Sequence, residues 1–156
     1  MAKRILIETR SEPALFTLFG ISCHLKDYRL TFLLNKKLDL EFMKMEDFTS
    51  YSFYFCRDDD HFNAYFLLGN RGQDTILFPG LKQTDFILLV EGPFKKNQKD
   101  KLLENIRNIP NVLTAFEIRF ETIKNHEAIL TDLEIHLMNI QRELKIKYSP
   151  SKKQEE

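Results

Sequence analysis

The chain has no tryptophan, five glycines, five prolines, two cysteines and no net charge, since 23 Lys and Arg stand against 23 Asp and Glu. Each shortage narrows the field. With so few glycines, a loop that wraps closely around phosphate is hard to build, and GxGxxG, GxxxxGK[ST] and GxSxG are all missing from the sequence. Nucleotide-dependent catalysis is therefore not expected. Cys23 and Cys56 lack CxxC spacing and have no histidine at zinc-finger distance, so neither a zinc module nor a disulfide framework is predicted. Charge is balanced within each half as well, with 11 basic and 13 acidic residues before Phe94 and 12 and 10 from there on. Affinity for nucleic acid rests on neutralising phosphates, so a chain without a basic block is disfavoured as a DNA or RNA binder. Apolar stretches such as 86–90 fall far short of the roughly 20 residues a membrane span needs. The opening MAKRILIETR turns charged again at once, which predicts a cytoplasmic protein and no membrane association.

What is abundant is phenylalanine, 14 residues of it, in a chain that is 43% hydrophobic. At 156 residues the expectation is one domain over 1–148 with a flexible polar tail at 149–156. The β-branched run KRILIE (3–8) reads as a strand, ended by Ser11-Glu12-Pro13. Ile21, Leu25, Tyr28 and Phe32 share one helical stripe and predict a helix over about 22–37, capped by Ser22. LDLEFMKMEDF alternates and then loses phase, as a bulged strand would. YSFYFC and FNAYFLLG, joined by Arg57 to His61, predict a β-hairpin, while TILF and DFILLV supply two further strands. DFILLV is apolar on both faces and belongs in the middle of a sheet. A helix ending before Pro110 and a strand over 112–120 complete a βαβ unit. Leu130, Leu133, Leu137, Ile140 and Leu144 recur at spacings of three and four and predict a long C-terminal helix over about 125–147. The fold expected is α+β, a largely antiparallel sheet of six or seven strands with two packed helices and that terminal helix.

The segment FPGLKQTDF (78–86) resembles the signature of the IPExxxVDY family of bacterial proteins, known chiefly from Bacteroidetes and without an assigned activity. Pro79 and Asp85 coincide with it, while Phe78, Gly80, Thr84 and Phe86 replace Ile, Glu, Val and Tyr. GISCHLKDYRLTFLLNK, LKQTDFILLVEG and IPNVLTAFEI are also similar to the family, so that the resemblance spans residues 3–130. It implies a small cytoplasmic bacterial protein and carries over no catalytic residue. Read on its own, Asp85 is expected to accept N–H groups from the preceding turn, so Pro79, Asp85 and Phe86 are assigned structural roles.

Few residues suggest chemistry. Asp58, Asp59, Asp60 and His61 lack the alternation and the glycine of a calcium loop, and no HExxH or HxH pair exists, so no metal or other cofactor is expected. Cys23 and His24 are neighbours, which on a helix project about 100 degrees apart and make a poor nucleophile and base. Lys95, Lys96, Lys99 and Lys101 form a candidate basic patch at a helix start, where positive charge opposes the dipole. Leu130, Leu133, Leu137, Ile140 and Leu144 form a candidate interaction stripe, open to packing on the chain's own sheet or to a partner. A non-catalytic interaction or accessory module is the leading expectation, its partner a protein met through the C-terminal helix or an exposed sheet edge, with a homodimer also allowed. The alternative is a small-molecule-sensing regulatory domain, since LLVEG, a helix and IPNVLTAFEI resemble half of an ACT-like domain. An RNA- or ribosome-associated factor is the third.

Overall fold

A computed structural model describes residues 16–123 and 126–153, without the side chains at 120, 126 and 144–153. The strand expected at 3–8 and the side chain of Leu144 lie outside the described residues. In chain order the elements are β1 (Phe16–Cys23), α1 (Asp27–Leu38), β2 (Met43–Lys44), β3 (Phe53–Asp58), β4 (Asn63–Gly69), β5 (Phe86–Glu91), α2 (Lys96–Arg107), β6 (Val112–Ile118) and α3 (His126–Lys153). The strands form one six-stranded sheet in the order β2-β3-β4-β5-β1-β6, antiparallel at every neighbouring pair. The α+β class with three helices follows.

Alternation along the strands builds two cores. Phe19, Ile21, Tyr65, Leu67, Leu88 and Val90 point to one face, where α1 contributes Leu30 and Leu34 and α2 contributes Leu102, Leu103 and Ile106. Leu18, Phe53, Phe66, Leu68, Ile87 and Leu89 point to the other, where α3 lays down Leu133, Leu137 and Ile140. The dual apolarity of DFILLV thus has its expected cause, because β5 is covered on both faces and paired on both sides. β5 and β6 run parallel but are held apart by β1, which pairs with each. With α1 and α2 on one face, β1-α1-β4-β5-α2-β6 in the order β4-β5-β1-β6 is a split βαβ arrangement of ferredoxin-like topology. The segment holding β2 and β3 is inserted between α1 and β4 and extends that sheet at one edge.

Several local expectations are corrected. The helix predicted from residue 22 begins at Asp27, and Ile21 and Ser22 belong to β1. Ser22 caps nothing there, for its hydroxyl donates to the Gln83 carbonyl at 2.6 Å. Gly20 obscured this strand in the sequence, and packing requires it, since a Cβ would meet the Phe116 ring at 2.8 Å. Of the strand expected at 38–48, Met43–Lys44 alone forms a strand, and Phe48 makes an isolated bridge to Tyr51. TILF makes a single bridge, Ile76 to Arg71, because Asn70 organises the segment as a loop instead. The terminal helix continues to Lys153, past the boundary at 147 read from its apolar spacing.

Candidate functional site

Asp85 stands directly before β5, where the ends of β1, β4 and β5 meet the start of α1. Its Oδ2 accepts the backbone N–H of Cys23 at 2.9 Å and its Oδ1 accepts Arg71 Nε at 2.8 Å. The sequence led us to expect a bond to its own preceding turn, whereas the carboxylate joins that loop to the neighbouring strand. Arg71 also donates to the Lys82 carbonyl, which ties the two limbs of the 70–85 loop together. Beneath lies Asn70, fully buried, whose Nδ2 donates to Leu81 O at 3.0 Å and Thr84 O at 2.8 Å while Oδ1 accepts the Phe78 N–H at 2.8 Å. Sequence reading missed this asparagine. Pro79 opens a short 3₁₀ turn, Phe78 fills the core under α3, and Phe86 enters the core under α1.

Around this junction runs an open cleft of about 510 Å³, whose charged lining is Lys26, Asp27, Lys44, Asp47, Arg71 and Asp85. Most of these charges satisfy one another. Lys44 Nζ lies 2.6 Å from Asp47 Oδ1, and the Tyr54 hydroxyl donates to Asp27 Oδ2 at 3.0 Å. Burial, followed by that bond to Asp27, pushes the Tyr54 pKa up to about 12, so this phenol remains a donor at neutral pH.

Beside the cleft, α1 turns an unexpected side outward. Tyr28 is 64% exposed and Phe32 51%, and both lie on the apolar stripe from which the sequence predicted the helix. The buried side carries Leu30, Thr31 and Leu34 instead. The Arg29 guanidinium carbon lies 5.8 Å from the centroid of the Phe32 ring and Lys36 Nζ lies 5.5 Å from it, so the aromatic is flanked by two cations. A bare aromatic patch framed by positive charge is suited to contact with an apolar, acidic surface.

The other candidates are distributed differently from the expectation. Leu133, Leu137 and Ile140 are buried against the chain's own sheet, which removes them as a docking stripe; Leu130 is half-buried. α3 exposes Ile135 and Met138 instead. The basic patch is partly neutralised, with Lys96 3.2 Å from Asp100 and Lys99 3.1 Å from Glu117. Only Lys95 and Lys101 of the four have no ion pair among the described residues. At the β3–β4 turn, Asp58 Oδ2 lies 2.9 Å from His61 Nδ1. Cys23 and Cys56 are buried free thiols whose pKa burial pushes up, so they stay protonated. His136 packs its ring against Phe48 and Phe53 beneath α3. Among the described residues no group of three or more His, Cys, Asp or Glu is placed to hold a metal ion, and no helix is long and apolar enough to cross a membrane.

The class that fold and site define is a ferredoxin-like α+β module extended by an inserted hairpin, with an aromatic and basic helix face at its surface. No family model matches the chain and no curated protein matches it.

Proposed function

We propose that the chain is a non-catalytic accessory module of the bacterial cytoplasm that works by binding a partner protein through the outer face of α1. The observation that carries this reading is the exposure of Tyr28 and Phe32 between Arg29 and Lys36, on a helix whose other side has a core of its own. Large aromatics with an arginine beside them are the residues that dominate protein contacts. Membership of the IPExxxVDY family is part of the proposal and accords with the structural roles of Pro79, Asp85 and Phe86. The test is affinity capture from native lysate with the wild-type chain and with a Tyr28→Ser/Phe32→Ser variant of unchanged melting temperature. A partner held by the first and lost by the second supports the assignment, and identical captures oppose it.

A second reading, an ACT-like regulatory domain that senses a small molecule, is favoured by the split βαβ order of β4, β5, β1 and β6. Under it, amino acids or nucleotides raise the melting temperature of the chain, and a screen in which none does so removes it.

A further inference from the structure

We propose that the pocket between the β3–β4 turn and α2 binds a small monoamine with an apolar body, its ammonium held by the Asp58 carboxylate and the side-chain oxygen of Asn63. This site is separate from the α1 face and does not depend on it. Asp58 ends β3, Asn63 begins β4, and the two stand opposite each other in the ladder. Directly opposed residues turn their side chains to the same face, with Cβ atoms about 4.5–5.5 Å apart. Tyr65, two residues on from Asn63, shares that face and packs in the core that α2 covers. All three line a pocket of about 240 Å³ whose apolar walls include Leu40, Phe94 and Leu102. Ligand sites usually measure roughly 300–1,000 Å³, so the space suits a single ring on a short stem.

The protein leaves both acceptors incomplete. Asn63 is 3% exposed, and its Nδ2 donates to the carbonyls of Glu91 at 3.2 Å and Pro93 at 3.0 Å, which fixes the orientation of the amide. Its Oδ1 is then buried with no hydrogen bond, the one such side-chain atom among the described residues. Buried polar atoms are seldom left unpaired, and one in the lining of a cavity points to a donor from outside. The Asp58 side chain is 20% exposed; His61 Nδ1 lies 2.9 Å from its Oδ2, while its Oδ1 has no partner among the described residues. A bare amide oxygen across the ladder from a half-paired carboxylate calls for a positive group with more than one N–H, and a primary ammonium carries three.

Charge and walls narrow the choice. Lys101 also lines the pocket, but it is exposed, so water screens its charge while the mostly buried Asp58 acts through a less polar surrounding. What remains of the lysine's repulsion disfavours a second ammonium, hence a monoamine. Burial, and then the charge of Asp58, pushes the Tyr65 pKa up to about 12, so the phenol is neutral at neutral pH and adds no charge of its own. The Tyr65 and Phe94 rings stand at 86° to each other with centroids 6.5 Å apart, and aromatic walls accept a cation beside them.

Phenethylamine is the probe, with phenethyl alcohol as a control of similar shape and no charge and hydrocinnamate as one of opposite charge, titrated by calorimetry and followed by NMR of the full chain. Saturable amine binding is expected, with shifts confined to residues 38–40, 58–65 and 94–105. Both controls should be weaker by about tenfold or more. Asp58→Asn, which keeps the shape and removes the charge, should weaken the amine by a similar factor, and Asp60→Asn, on the same turn but outside the lining, should leave it unchanged. The comparison of amine with alcohol on the wild-type chain needs no variant to fold. No amine binding at millimolar concentration, equal binding of the alcohol, or equal binding by Asp58→Asn would overturn the proposal.

Discussion

Asn70 and Asp85 hold the same loop from opposite sides, and their substitutions should separate by size. Asn70→Ala strands the Phe78 N–H and two carbonyls in a fully buried place, an expected loss of about 3 kcal/mol in denaturant titration. Asp85→Asn keeps an acceptor for Cys23, and the Arg71 side chain it loses is 47% exposed and screened, so its expected cost is about 1 kcal/mol. Glu91 gives a signed pH test. Burial raises its carboxyl pKa, so the folded state prefers the neutral form and loses stability as pH rises from the ordinary value of 4.5 through the raised one. Glu91→Gln should therefore stabilise the protein at neutral pH, with the gain vanishing below the ordinary value; a gain that persists in acid would contradict this. The two thiols, buried and protonated, should resist iodoacetamide until denaturant opens the fold. At this scale the sequence carried part of the site. Asp85 could be singled out because a lone acid preceded an apolar run, but Asn70 could not, since nothing in a polar loop marks which amide will be buried.

α1 and α3 show where helical periodicity informs and where it misleads. The spacing of Leu133, Leu137 and Ile140 located α3 and its buried side, because the one long apolar stripe on that helix coincides with its core contact. Burying three such side chains contributes on the order of 6 kcal/mol before ordering costs. Leu137→Ala should accordingly lose about 2–5 kcal/mol, and Met138→Ala, at an exposed neighbour, about 0.5 or less, as melting curves can check. On α1 there are two apolar stripes, Tyr28 with Phe32 and Leu30 with Leu34, and period alone does not rank them. Packing on the sheet settles the choice, because Leu30 and Leu34 join the core beneath α1 while Tyr28 and Phe32 stay at the surface. Phe32→Ala should leave stability nearly unchanged while Leu34→Ala loses about 2–5 kcal/mol. The reverse order would restore the stripe expected from the sequence.

In the whole molecule, the α+β class, a largely antiparallel sheet and the long C-terminal helix were legible in the alternation of apolar residues, while β1 itself was not. Nor was the strand order. Whether β5 and β6 are neighbours or are split by β1 depends on contacts between residues some 70 to 100 positions apart, such as Gly20 against Ile87 and Phe116, which leave no local trace. That split gives the module its ferredoxin-like core, and the placement of α1 on it leaves one helix face with no use in folding. The central claim is that this face is a contact surface. It is tested most directly by a photo-crosslinking residue placed at Phe32 in the full chain in living cells, with the same residue at Met138 as the comparison. The account predicts a discrete protein adduct from position 32 that weakens at high salt and is missing from position 138. No adduct at 32, or the same adducts from both positions, would contradict it.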